Sequence, residues 1–116
     1  MLDNELNNYT LYLRSSSTDM RKRGNSLAFL VQSEMELNPF TKSLFLFCSR
    51  TRKILKVLVW DTNGFWELTK KLESGTYCWP GNTQEAIQVS REEVVSMLRG
   101  ENPWRRLPEL KPKRVC

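Results

Sequence analysis

Hydrophobic and polar positions divide the chain into a helical stretch, a run of alternating strands and a shorter second helix. Residues 1–8 are polar and predict a loose N-terminus. Tyr9–Leu13 alternates aromatic and aliphatic residues with Thr10 and reads as a short strand. After Ser15-Ser16-Ser17, Thr18 is placed as an N-cap, with Asp19 at the positive end of the helix dipole. Met20, Leu27, Val31 and Met35 then fall on one side of a 3.6-residue period, which predicts a helix over roughly residues 19–36. Gly24 is its weak point, costing about 1 kcal/mol relative to Ala. Asn38-Pro39 ends it, because the residue before proline avoids helical geometry.

Beyond Pro39 the period becomes two. Leu44–Cys48 and Ile54–Trp60 read as strands; in the second, Leu55, Val57 and Val59 share one face and Lys56, Leu58 and Trp60 the other. Asp61-Thr62-Asn63-Gly64 is a turn, Phe65–Lys70 a third strand, Glu73-Ser74-Gly75 a turn, and Thr76–Trp79 a fourth strand stopped by Pro80-Gly81. Ala86–Val89 is a candidate extra strand. Ser90 and Glu93 form a capping box ahead of Val94, Val95, Met97 and Leu98, and Gly100 suits the helix stop. The expected fold is α+β: an antiparallel four- to five-stranded meander with one helix before it and one after. Residues 9–100 form its single domain, and 101–116 form a basic tail with Pro103, Pro108 and Pro112.

Composition narrows the chemistry. The chain of 116 residues is 40% hydrophobic and 27% charged, as a globular domain is, and its apolar runs, Val57–Trp60 among them, are all far too short to span a membrane. No secretory signal opens the sequence, so a cytoplasmic location is expected. With no histidine, Ser-His-Asp and Cys-His catalysis and His-containing zinc sites are excluded. Cys48, Cys78 and Cys116 are far apart, and the first two read as small apolar residues. No glycine-rich nucleotide motif is present, and neither a cofactor nor a metal is expected. Asp61 ends a hydrophobic strand and Glu67 lies beyond the turn, but Asp61 has a turn role and Glu67 is expected to alternate outward. That is too little for a two-metal site, and no enzymatic activity is expected.

The excess of 18 cations over 13 acids gives +5, and its distribution matters more than its size. Arg50, Arg52 and Lys53 lie on a predicted hairpin loop, with Lys56 on the next strand and no acidic residue from Thr41 to Trp60. Such a loop can present several cations to a phosphate backbone. Lys70 and Lys71 near the following turn extend this candidate surface, although alternation puts them on opposite faces. Arg21 and Lys22 flank the predicted helix start, a second candidate anion site that Asp19 opposes. Phe29, opposite the apolar stripe, and Trp104, in the basic tail, are candidate partner contacts. Trp60, Trp66 and Trp79 read as sheet or core packing. These cations permit nucleic-acid binding without requiring it: DNA is a candidate partner, protein–protein adaptation with no direct DNA contact is the alternative, and an ordinary solvated hairpin tip would look the same.

Several segments, in order, carry a family resemblance. They are Thr18-Asp19-Met20-Arg21-Lys22, Leu30-Val31-Gln32, Asn38-Pro39-Phe40, Leu44-Phe45-Leu46-Phe47, Arg50 and Arg52, Leu55 through Asp61, Gly64-Phe65, Lys70 through Gly75, and Trp79-Pro80. Over roughly residues 9–100 the chain resembles the TnpB accessory family, the second-open-reading-frame products of bacterial insertion sequences of the insertion sequence 66 group. The resemblance implies a small accessory factor of DNA transposition, encoded beside a DDE transposase that would be its protein partner, and it brings no catalytic residues. RNA-guided nucleases of unrelated elements share the name, and this chain is far too short to be one. Two departures stand out. Arg23 occupies the position where the family usually has glycine, with Gly24 one later, and Asn38-Pro39-Phe40-Thr41-Lys42 replaces the usual Asp-Pro-Phe-Ser-Gly.

Overall fold

A computed structural model of the protein describes residues 8–104. Its elements are β1 (Thr10–Arg14), α1 (Gly24–Ser33), β2 (Ser43–Cys48), β3 (Ile54–Asp61), β4 (Gly64–Lys71), β5 (Ala86–Val89) and α2 (Arg91–Leu98). The five strands form one sheet in the order β4-β3-β2-β1-β5.

The sheet is mixed, which corrects the expected antiparallel meander. β1 runs parallel to β2, with Leu11 beside Leu44 and Leu13 beside Leu46, while the β2–β3, β3–β4 and β1–β5 pairs are antiparallel. The physical reason lies in the connection. Parallel neighbours need a long crossover, and residues 15–42, carrying α1, supply it. The first helix therefore lies between two strands of the sheet, not before them. α1 is also shorter than the periodicity predicts. Thr18 does not cap it: the Thr18 N–H donates to the Cys48 carbonyl at 2.8 Å, and Asp19 holds the Arg21 N–H at 2.9 Å in a local turn. At the far end the helix stops before Glu36, which adopts φ 57°.

The predicted strand at Thr76–Trp79 joins no strand of the sheet. Tyr77, Cys78 and Trp79 instead lie across one sheet face, each 5% exposed or less. They pack with Leu11, Leu13, Leu44, Leu46, Val59, Val89, Met97 and Trp104. α1 covers the other face, burying Leu27, Ala28 and Val31, with Met35 just beyond the helix, against Phe45, Phe47 and Leu58. All six residues of β2 are buried, as a strand covered on both faces must be. β4 is an edge strand and largely exposed.

α2 follows its sequence signal. The Ser90 hydroxyl accepts from the Glu93 N–H at 3.1 Å, and Glu93 accepts from the Ser90 N–H at 2.8 Å. Gly100 takes φ 88°, the left-handed conformation that ends the helix cheaply. Among the described residues no helix is long and apolar enough to cross a membrane.

Candidate nucleic-acid interface

The parallel β1–β2 pair puts the C-terminal ends of both strands at one end of the sheet, where the β3 start and β4 end also lie. Three loops meet there. Residues 15–23 are fastened by the Thr18–Cys48 bond, and residues 49–53 and 72–77 by backbone bonds of 2.8 Å from Leu72 to the Lys53 carbonyl and from Tyr77 to the Arg52 carbonyl. Lys71 lies opposite Ile54 and Lys70 opposite Leu55, so both reach this end from β4, on opposite faces as strand alternation requires. Lys22, Arg23, Arg50, Lys53, Lys70 and Lys71 are exposed around it.

Not every cation of the sequence-derived set is free there. Lys56 is 8% exposed, and its ammonium donates to the Lys22 carbonyl at 2.8 Å; it fastens the chain ahead of α1. Arg52 sits at φ 65° and is half-buried, with its guanidinium against the Cys48 thiol. Burial pushes that thiol's pKa up, and the Arg52 charge and hydrogen bond, with the Ser49 backbone, offset this in part. Arg21 is clamped by Asp19, with the Arg21 Nη2 to Asp19 Oδ2 distance 2.8 Å. Hydrogen bonds from the Arg21 side chain and backbone hold the Asp19 carboxyl well below the usual carboxylate range. Neither Arg21 nor Lys22 stands at the helix start, because α1 begins at Gly24.

That start has an unexpected cap. No side chain of the adjoining segment bonds it; Glu67, from β4, accepts the Gly24 N–H at 2.8 Å. A carboxylate there also suits the positive end of the helix. The approach is close enough that a Cβ on residue 24 would stand 3.0 Å from the Glu67 oxygen, which favours the missing side chain of Gly24. Asp61 is engaged elsewhere, accepting from the Trp66 indole N–H at 2.9 Å and from the Thr62 hydroxyl at 3.3 Å. The two acids serve different structural roles and do not converge. Among the described residues no group of three or more His, Cys, Asp or Glu could hold a metal ion.

Between the α1 start and the β3–β4 hairpin tip lies an open groove of about 550 Å³. Its wall is aromatic. Phe40 meets the Trp60 ring edge-on at 5.0 Å and Phe65 at 5.6 Å, and Trp60 meets Phe65 at 5.0 Å. Phe40 remains 51% exposed. Arg23, Asn25, Ser26, Asn63 and the Glu67 carboxylate supply polar groups to the same groove. Sequence reasoning missed this site. Trp60 and Phe65 are neighbours across a recognisable hairpin, but nothing local to Asn38-Pro39-Phe40 announces that Phe40 folds against them.

The two partner candidates diverge. Phe29 is 67% exposed on α1, but the exposed residues Asn25, Ser26, Gln32 and Ser33, one turn to either side of it, are polar. Trp104 is 1% exposed, and its indole N–H donates to the Cys78 carbonyl at 2.5 Å, so it packs in the core and presents nothing to a partner. Residues 105–116, the rest of the basic tail, lie outside the described residues, as do 1–7.

A five-stranded mixed sheet between two helices, with exposed cations gathered at one end and an aromatic groove toward the other end of the β3–β4 hairpin, defines a small basic α+β domain. The chain belongs to the family described as IS66 Orf2 like protein, whose profile matches residues 9–107. It is similar to y4hO of Sinorhizobium fredii, at 36% identity over 98 residues and 84% of each chain. It is also similar to y4jC of the same organism, at 29% identity over 109 residues, covering 91% of this chain and 92% of the relative. Both relatives are described as uncharacterized proteins. No solved structure matches the chain.

Proposed function

We propose that this protein is a non-enzymatic accessory factor of insertion-sequence transposition that binds element DNA, or the transposase–DNA complex, through the basic end of the sheet. Membership of the IS66 Orf2-like family supports the transposition role. The observation that carries the DNA contact is the meeting of three loops at one sheet end, with Arg50, Lys53, Lys70, Lys71 and Lys22 exposed around it. Cations so placed neutralise phosphates without reading base sequence, so the binding is salt-sensitive and tolerant of sequence. Arg52 and Lys56 act behind them, one shaping the loop and the other holding the segment that carries Lys22.

Replacing Arg50, Lys53, Lys70 and Lys71 together with Gln tests this reading. Each is exposed, so the fold is retained. The variant should bind duplex DNA more weakly, and the slope of log K against log salt should become shallower by up to about 4. Unchanged affinity and slope in the folded variant would remove the site. The adaptor reading rests on exposed Phe29. It gains ground if Phe29→Ser abolishes transposase capture while DNA affinity stays intact.

A further inference from the structure

The basic end and the aromatic groove lie on one path. On β4, residues Phe65, Glu67, Thr69 and Lys71 alternate onto the face that α1 covers, the face to which Phe65 and Leu58 belong. The path runs from Lys71 to Phe65, about 20 Å at the rise of a β-strand. Lys22 and Arg23 border it from the other side, since the Lys22 carbonyl is held by Lys56 and the next residue but one, Gly24, is bonded to Glu67. The one acid on the path, Glu67, also lines the groove, with one carboxylate oxygen turned to the Gly24 N–H at the start of α1.

Three cations, Lys71 on the path and Lys22 and Arg23 along its border, leading to half-exposed aromatic rings suit one kind of ligand. Duplex DNA keeps its bases stacked on each other and offers nothing to a ring in a groove. Single-stranded DNA offers both a phosphate backbone and free base faces, and proteins hold it by pairing a cationic track with aromatic platforms. The side-chain amides of Asn25 and Asn63 add a donor and an acceptor each, the complement of a base edge. We infer that the groove bounded by Phe40, Trp60, Phe65, Arg23, Asn25 and Asn63 binds an unstacked base of single-stranded DNA, whose backbone follows Arg23, Lys22 and Lys71. This inference rests on the DNA-binding reading above and adds the form of DNA and the residue, Phe40, on which the base stacks.

The test compares two probes on the full chain by fluorescence anisotropy: a labelled oligodeoxythymidylate of about 12 nucleotides, long enough to cover the path of about 20 Å, and a duplex of equal length. Phe40→Ala should weaken oligodeoxythymidylate binding about tenfold, the lower range for loss of one stacked base, and leave duplex affinity unchanged. Phe40→Leu, which keeps an apolar side chain against Trp60 and Phe65, should show the same selective loss; thermal melting establishes that both are folded. Wild-type affinity for the oligonucleotide in either folded variant overturns the inference and leaves the groove to a protein segment. Duplex binding by the wild type without oligonucleotide binding also overturns it, with the DNA-binding reading intact. Binding of neither probe removes both.

Discussion

Each face of the sheet carries an aromatic cluster, and the two are finished in opposite ways. On one face, Trp79 and Trp104 are 0% and 1% exposed, sealed by the 77–79 segment and α2. Both indole N–H groups are spent on backbone carbonyls, Trp79 on Arg14 at 2.8 Å and Trp104 on Cys78. On the other face α1 is ten residues long and starts late, and beyond its N-terminus Phe40, Trp60 and Phe65 are left packed on each other but open to solvent. Similar side chains thus stabilise the fold on one face and remain available on the other. The difference comes from what lies above them, not from the residues themselves. The closed cluster spends both of its indole N–H groups on the fold, whereas the open one keeps ring surface in contact with water.

The comparison is broken most directly by truncating one ring from each cluster. Trp104→Ala removes a buried ring and leaves the Cys78 carbonyl without its indole donor, and it should cost about 3–5 kcal/mol. At about 4 °C per kcal/mol for a domain of this size, the melting temperature should fall by more than about 10 °C. Phe40→Ala should cost about 1 kcal/mol or less, because half the ring is already in water. Urea denaturation of both variants measures the contrast. Equal losses would mean that Phe40 is structural and that the groove is not an open platform.

The sequence made local features legible and hid those that depend on distant segments. The Ser90–Glu93 box, the Asp61–Gly64 turn and the two faces of β3 each rest on residues within a few positions of one another, and each stands in the structure as read. Parallel pairing of β1 with β2 leaves no mark in either strand, because alternation is the same for both directions. Tyr77–Trp79 has strand composition but serves as a cover, its residues pressed onto a face instead of a neighbouring edge. Trp104 sits among prolines and cations that read as an exposed tail, yet the hydrophobic return on burying an indole outweighs that context. The basic loop was legible as a candidate, but not which of its members would turn inward. Lys56 shares a face with buried Leu58, and its ammonium meets the Lys22 carbonyl because the crossover passes above it.

The rim of the closed face supplies a smaller effect. Arg14, whose carbonyl holds Trp79, also donates from Nε to Glu85 at 2.8 Å, and Ser16 donates to the same carboxylate at 2.5 Å. Burial by itself would raise the Glu85 pKa; the hydrogen bonds from Ser16 and Arg14 and the Arg14 charge outweigh it, and the net shift is downward. A carboxyl whose folded-state pKa is depressed stabilises the fold above its unfolded value and loses that contribution as pH falls through the folded value. Stability should therefore drop from about pH 4.5 downward, where 4.5 is the ordinary value for Glu. Glu85→Gln should cost about 1 kcal/mol at pH 7 and flatten this acid limb, since hydrogen bonds to a charged group are worth more than neutral ones. Urea midpoints of both proteins at neutral and acid pH decide it; parallel curves would assign the acid loss elsewhere.

The smallest expected change is on the open side. The hairpin tip beside the groove places Thr62 at φ 52°, a left-handed conformation that β-branched residues rarely adopt. Thr62 gains little in return: its hydroxyl reaches Asp61 at 3.3 Å, and it is exposed. Asn tolerates this conformation better, because its short polar side chain can bond locally. Thr62→Asn should therefore stabilise the domain by about 0.5–1 kcal/mol, a melting-temperature rise of about 2–4 °C. The substitution leaves Phe40, Trp60, Phe65 and Arg23 untouched, so oligodeoxythymidylate affinity should stay at the wild-type value. A stabilised hairpin with weakened oligonucleotide binding would show that the tip must deform for a base to enter, and that the open cluster is not preformed. A fall in melting temperature would show that the Thr62 contact with Asp61 outweighs the backbone strain.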